Sequence, residues 1–235
     1  MKTRARFFFP LLIILLLIGE RRGLAQQPSS AEDLNMMPEQ VTRLLKEHWT
    51  FLRDATDAFL KTIEKKGDFE TTEEFATRVS REKGAYIAKV NAHIKEAKLD
   101  KRLFGVLLKA TLKSYDADTR IYTVGCPTFV ELPYDIPTLV CQIPPNPYVA
   151  MDDTTQGGYR TSRMYLKFAP DFLWKASRDV AMAAKQDEAS VYFKVRFRLD
   201  LSQSGFTDKA IIRILPQDVL LVDQSKRLLY WNHRL

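Results

Sequence analysis

The chain has two cysteines, and they bracket one segment, CPTFVELPYDIPTLVC, residues 126–141. A thiol pair at this spacing has three chemical uses: nucleophile, metal ligands or staple. A nucleophile works as a thiolate beside a base. The three histidines, His48, His93 and His233, all lie far away in sequence. Zinc needs clustered ligands of the C-x(2–4)-C or H-x(3–5)-H kind, and neither spacing occurs.

Other chemistries leave as little trace. There is no G-x-S-x-G elbow, Walker loop or G-x-G-x-x-G run, and Gly157-Gly158 is only a turn signal. Asp116 with Asp118, and Asp152 with Asp153, offer oxygens to a hard cation. They lack the spaced ligand series of a calcium loop, whereas aspartate at such places bonds nearby backbone and makes a turn. A paired-carboxylate hydrolase site is not written in local spacing, so it stays as an alternative. No motif implies a cofactor.

Stepping along the chain, residues 1–25 carry Lys2, Arg4 and Arg6, then an apolar run over about 7–18, then Gly23-Leu24-Ala25. This is the layout of a secretory signal peptide. The run is short against the roughly 20 residues that span a bilayer. Glu20, Arg21 and Arg22 before the cleavage site keep an uncleaved anchor as the rival reading. Membrane contact is expected only through this segment. It holds five basic side chains and one acidic, so removing it takes the net charge from +7 to +3. The basicity is thus mostly a targeting feature, and nucleic acid is not an expected partner.

Residues 26–37 read as a flexible linker. From Pro38 onward, Val41, Leu45, Leu52, Ala55, Phe59 and Ile63 recur at helical spacing, with Leu44, Trp49 and Leu60 broadening the stripe. Gly67 after Lys65 and Lys66 is a stop. Thr71 with Glu74 is a capping box opening a second helix from about 72 to 98, with Phe75, Val79, Tyr86, Val90, Ile94 and Ala97 on its apolar face. Residues 38–98 therefore read as an antiparallel helical hairpin, each arm roughly 40 Å long. It can dock as core, or project and use Trp49, Phe51 and Phe59 to pair with a partner or a second copy.

Residues 99–235 read as a β-rich domain. LFGVLLKATL, SYDADTR and IYTVG give strand, turn, strand, and residues 159–168 another strand. Residues 170–186 are the helical interruption, capped by Ser177. VYFKVRFRLDL, 191–201, alternates most clearly. Phe193, Val195, Phe197, Leu199 and Leu201 face one way, and Lys194, Arg196 and Arg198 the other. AIIRIL, DVLLVD and RLLYWN follow. The fold class is α+β: an N-terminal antiparallel helical hairpin, then a mainly antiparallel sheet with one inserted helix. Lys194, Arg196 and Arg198 are a candidate face for an anionic partner. The bland alternative is a solvated sheet face whose cations discourage edge pairing.

Export bears on the cysteines, because an oxidising compartment favours a disulfide. With Pro133-Tyr134 as the central turn residues, Cys126 falls opposite Cys141, and the closed loop contributes about 3 kcal/mol in the chain-entropy model. Pro127 and Pro137 weaken a hydrogen-bonded ladder. The segment therefore reads as a disulfide-pinned, proline-stiffened loop with Phe129, Tyr134 and Tyr148 partly displayed as a candidate binding surface.

Residues 67–78, GDFETTEEFATR, resemble a segment of uncharacterised exported bacterial proteins, G-[DE]-F-E-T-x-x-E-[FY]-x-x-R. The resemblance implies a bacterial envelope setting and brings no activity. The leading expectation is an exported, periplasmic or secreted, non-enzymatic protein that binds an envelope protein or serves a structural role there. The alternatives are a small-molecule, lipid or glycan binding domain, and a hydrolase with an unrecognised carboxylate site.

Overall fold

The computed structural model describes residues 33–126, 130–131, 139–156, 159–168, 171–204 and 209–235. The expected signal segment, most of the linker, Phe129 and Tyr134 lie outside them. Residues 31–235 form one compact unit, and its class is α+β as the sequence predicts.

Strand β1 (Asp33–Met36) leads into helices α1 (Pro38–Ile63) and α2 (Thr72–Glu96). The linker therefore ends in a strand. β1 pairs in parallel with β2 (Leu103–Lys109), Asp33 opposite Leu103 through Met36 opposite Val106. DLNM is only four residues long, with Leu34 and Met36 alternating with Asp33 and Asn35, and the edge of β2 recruits it. The large sheet continues through β10 (Val191–Asp200), β11 (Ala210–Asp223) and β12 (Leu228–Arg234), all antiparallel. β6 (Leu139–Gln142) joins β11 in parallel. Two three-stranded sheets complete the fold. One holds β3 (Thr111–Asp116), β4 (Ile121–Gly125) and β9 (Asp171–Lys175); the other holds β5 (Val130–Glu131), β7 (Val149–Gln156) and β8 (Tyr159–Leu166).

The inserted helix is shorter than its sequence pattern suggests. α3 (Arg178–Gln186) starts at the expected cap, where Ser177 Oγ accepts from Val180 N at 3.4 Å. The preceding DFLWK is strand β9, because β4 pairs with it from Ile121–Lys175 to Gly125–Asp171. AIIRIL and DVLLVD are likewise one strand. Its register against β10 steps from Arg196–Asp218 to Phe197–Pro216, which leaves Gln217 as the extra residue of a bulge. The bulge lets β11 continue through a proline that has no N–H to give.

β10 positions the core as its alternation predicts. Phe193 and Phe197 are fully buried, with Val195, Leu199 and Leu201 nearly so. α1 covers part of this core. It buries Val41, Leu45, Trp49, Leu52, Ala55 and Phe59 and packs on β1, β2, β5, β6 and β11 as well as on α2. Trp49 and Phe59 are thus core side chains, not displayed anchors. α2 lies outside α1 and buries only Tyr86 and Val90 completely. It ends in a Schellman turn: Lys98 adopts φ 53°, Lys98 N reaches Lys95 O at 3.1 Å, and Leu99 N reaches Ile94 O at 3.0 Å. Truncating Phe197 to Ala is expected to cost about 3–5 kcal/mol in urea unfolding, the range for a large ring lost from a sealed core. A loss under about 1 kcal/mol would contradict this packing.

Candidate functional site at the hairpin tip

The turn between α1 and α2 is built around Arg78. Its guanidinium forks onto Glu70, Nε to Oε1 at 2.8 Å and a terminal nitrogen to Oε2 at 2.7 Å. The same group donates to the carbonyls of Thr62 and, at 3.1 Å, Lys65. Those carbonyls belong to the last turn of α1 and its exit, where the helix has no partners of its own. Glu70 Oε2 also accepts from Gly67 N at 3.0 Å. The expected capping box forms beside it: Thr71 N donates to Glu74 Oε2 at 2.7 Å, and Glu74 N to Thr71 Oγ1 at 3.2 Å. The Arg78 guanidinium also stands 5.0 Å from the centre of the Phe75 ring.

Gly67, Glu70, Thr71, Glu74 and Arg78 thereby spend their polar groups on closing the turn. What remains is Phe69, fully exposed at 102 %, beside an exposed Asp68. Arg78 lowers the Glu70 pKa to about 2, with help from the Gly67 N–H. A carboxyl depressed in the folded state stabilises it fully above its unfolded value, and the contribution is lost as pH falls through the folded one. The fork therefore stays closed at pH 5 and opens only towards about pH 2. In a carboxyl-carbon NMR titration Glu70 is expected to ionise near that value. Ionisation in the ordinary glutamate range would remove the fork.

The cysteines do not form the expected staple. Cys126 follows β4 in one sheet, while Cys141 lies in β6 opposite Ile212 of β11 in another. Neither is in a disulfide, and both thiols are buried. The parallel pairing of β6 with β11 overrides the hairpin register that would have placed them face to face. Burial pushes the Cys126 thiol up to about 12, with Asp171 adding to the rise. It is thus a poor nucleophile. Both thiols are expected to react with N-ethylmaleimide only in denaturant; an intact 126–141 disulfide under non-reducing conditions would contradict this arrangement.

Tyr148 is half-buried. Its ring packs 4.4 Å from His233, 5.7 Å from Phe168 and 6.0 Å from Trp231, centre to centre. The basic strand face is not an open cationic surface. Lys194 is only 8 % exposed. Arg196 forks onto Asp218, which β11 places directly across from it. Arg198 is exposed and donates to Asp100 O at 3.2 Å. Asp116 makes a turn, its Oδ1 accepting from Asp118 N at 2.9 Å and Thr119 N at 3.2 Å.

Several carboxyls are held below their usual range: Glu70 by Arg78, Glu74 by Thr71, Asp116 by Thr119 and Glu188 by Lys185. A general acid needs the opposite shift. Among the described residues there is no group of three or more His, Cys, Asp or Glu placed to hold a metal, and no helix long and apolar enough to cross a membrane. A groove of about 550 Å³ beside Pro144 and Pro145 has Ile143, Val149 and Met151 as apolar walls and Lys167 and Arg213 as cations. Both cations are engaged within the fold, Lys167 with the carbonyl of Asn146, Arg213 with Asp200 at 3.5 Å.

The helix pairing also brings two histidines together. His48 of α1 and His93 of α2 meet with Nδ1 and Nε2 3.1 Å apart. They lie 45 positions apart in sequence, so only the helix pairing joins them. No family model, curated protein or solved structure matches the chain.

Proposed function

We propose that this is an exported, non-enzymatic protein of a bacterial envelope that docks a protein partner through the tip of its helical hairpin. The single observation that carries the reading is Phe69, fully exposed at a turn whose polar groups are tied to one another. A large apolar ring in water gains about 1.5–3 kcal/mol when it is buried, and aromatic anchors set in a fixed frame are the usual centres of protein interfaces. The N-terminal signal-like segment and the resemblance of residues 67–78 support the envelope setting. The Arg78 fork supports the geometry, because an anchor already held in place loses little freedom on binding.

A photoreactive amino acid at position 69 is expected to capture one envelope protein in living cells, with no such adduct from the exposed position 232 on β12. Phe69→Ser is expected to leave stability within about 0.5 kcal/mol, since the ring contacts solvent, and to weaken the complex roughly ten- to hundredfold. Equal capture from both positions, or binding indifferent to Phe69→Ser, would contradict the proposal.

A further inference from the structure

The His48–His93 contact is a hydrogen bond that accommodates one proton in its gap. His48 is 3 % exposed, and its other nitrogen, Nε2, meets no protein donor or acceptor. A buried N–H without an acceptor costs more than a bare lone pair, since the donor has no second way to be satisfied. The hydrogen of His48 therefore sits on Nδ1 and points at the lone pair of His93 Nε2. His93 is in turn stacked on Phe51 at 3.7 Å, which fixes its ring. Protonating His93 at Nε2 puts two N–H groups face to face. The alternative, with His93 donating, moves the His48 hydrogen to buried Nε2, where no acceptor waits.

Apolar packing also holds α2, with Val90 fully buried and Ile87 and Ile94 partly buried against the core. In its middle, Tyr86 stacks on Phe59 at 5.3 Å and its hydroxyl meets Thr56 Oγ1 at 3.1 Å. At its start the Arg78–Glu70 fork closes the turn. At its far end the histidine pair is the polar tie. We propose that the His48–His93 contact is an acid-released latch, in which a proton taken from mildly acid solution onto His93 breaks the inter-helix bond and loosens the C-terminal half of α2 while the tip stays closed. This is independent of any docking by Phe69.

The surrounding charges agree. Burial, then the charge of His93, lowers the His48 pKa, against Glu47 and together with Arg102. Burial lowers the pKa of His93 against Glu96 and Glu47. For a histidine depressed in the folded state, the stabilisation is complete above the unfolded value of about 6.5 and is lost as pH falls through the folded value. The Glu70 fork does not titrate until about 2, so the two ends of α2 part company in acid.

The test is amide hydrogen exchange on the full chain at about pH 7.5 and pH 5, corrected for intrinsic rates. Exchange over residues 86–96 is expected to rise roughly tenfold or more at the lower pH, with residues 72–78 unchanged. In His93→Gln, which keeps an amide in the gap but takes up no proton there, that rise is expected to shrink to the part His48 alone supplies, and in the His48→Gln/His93→Gln double variant to vanish, while His233→Gln retains it in full. Ring-nitrogen NMR of the wild type reads the pair without any variant, and both rings are expected to titrate below ordinary histidine. Protection of 86–96 that is flat with pH, a rise undiminished in His93→Gln, or protonation of the pair with no loss of protection would each overturn the latch.

Discussion

The structure depends on α1 being buried on two sides at once. Val41, Leu45 and Leu52 are sealed in a helix that packs on five strands and on α2. Each such side chain contributes about 1.5–3 kcal/mol through loss of contact with water, so the orientation of α1 is set by the core. The hairpin turn inherits that orientation. α1 runs 26 residues from its start beside β1 to Ile63, about 39 Å at 1.5 Å per residue. The tip is thus carried far from the point where the chain enters the sheet, on a helix that the core holds still.

α2 is held differently. With Tyr86 and Val90 as its only buried residues, and Ile87 and Ile94 partly buried against the core, it is held by a narrow apolar seam together with specific polar ties. Arg78 and Glu70 fix one end, Thr56 and Tyr86 the middle, and His48 with His93 the other end. An element so attached belongs to the low-stability end of a fold, where local opening precedes global unfolding. The two ends also respond to different pH ranges, because a guanidinium–carboxylate fork and an imidazole pair lose their geometry on protonation of different groups.

Much of this was legible where the determining physics is local. The Thr71–Glu74 box spans three residues, the α1 stripe has a helical period, and the β10 alternation has period two; all three appear as the sequence implies. What was hidden depends on partners distant in the chain. DFLWK becomes a strand because β4 pairs with it. DLNM becomes β1 because β2 offers an edge. Cys141 leaves Cys126 because β11 captures β6. Arg196 loses its free charge to Asp218, 22 residues on. The segment 67–78 could be read as a loop and a capped helix, but not as a frame for Phe69. That requires knowing that Arg78 reaches back to Thr62, 16 residues away.

The account turns on the tip being a fixed frame that presents Phe69, and backbone ¹⁵N relaxation across residues 67–71 measures that directly. Order parameters of about 0.85, level with the flanking helices, are predicted for a turn tied by Arg78, Glu70 and the capping box. Values below about 0.6 at Phe69 and its neighbours would mean a loose loop, and the central claim would fail.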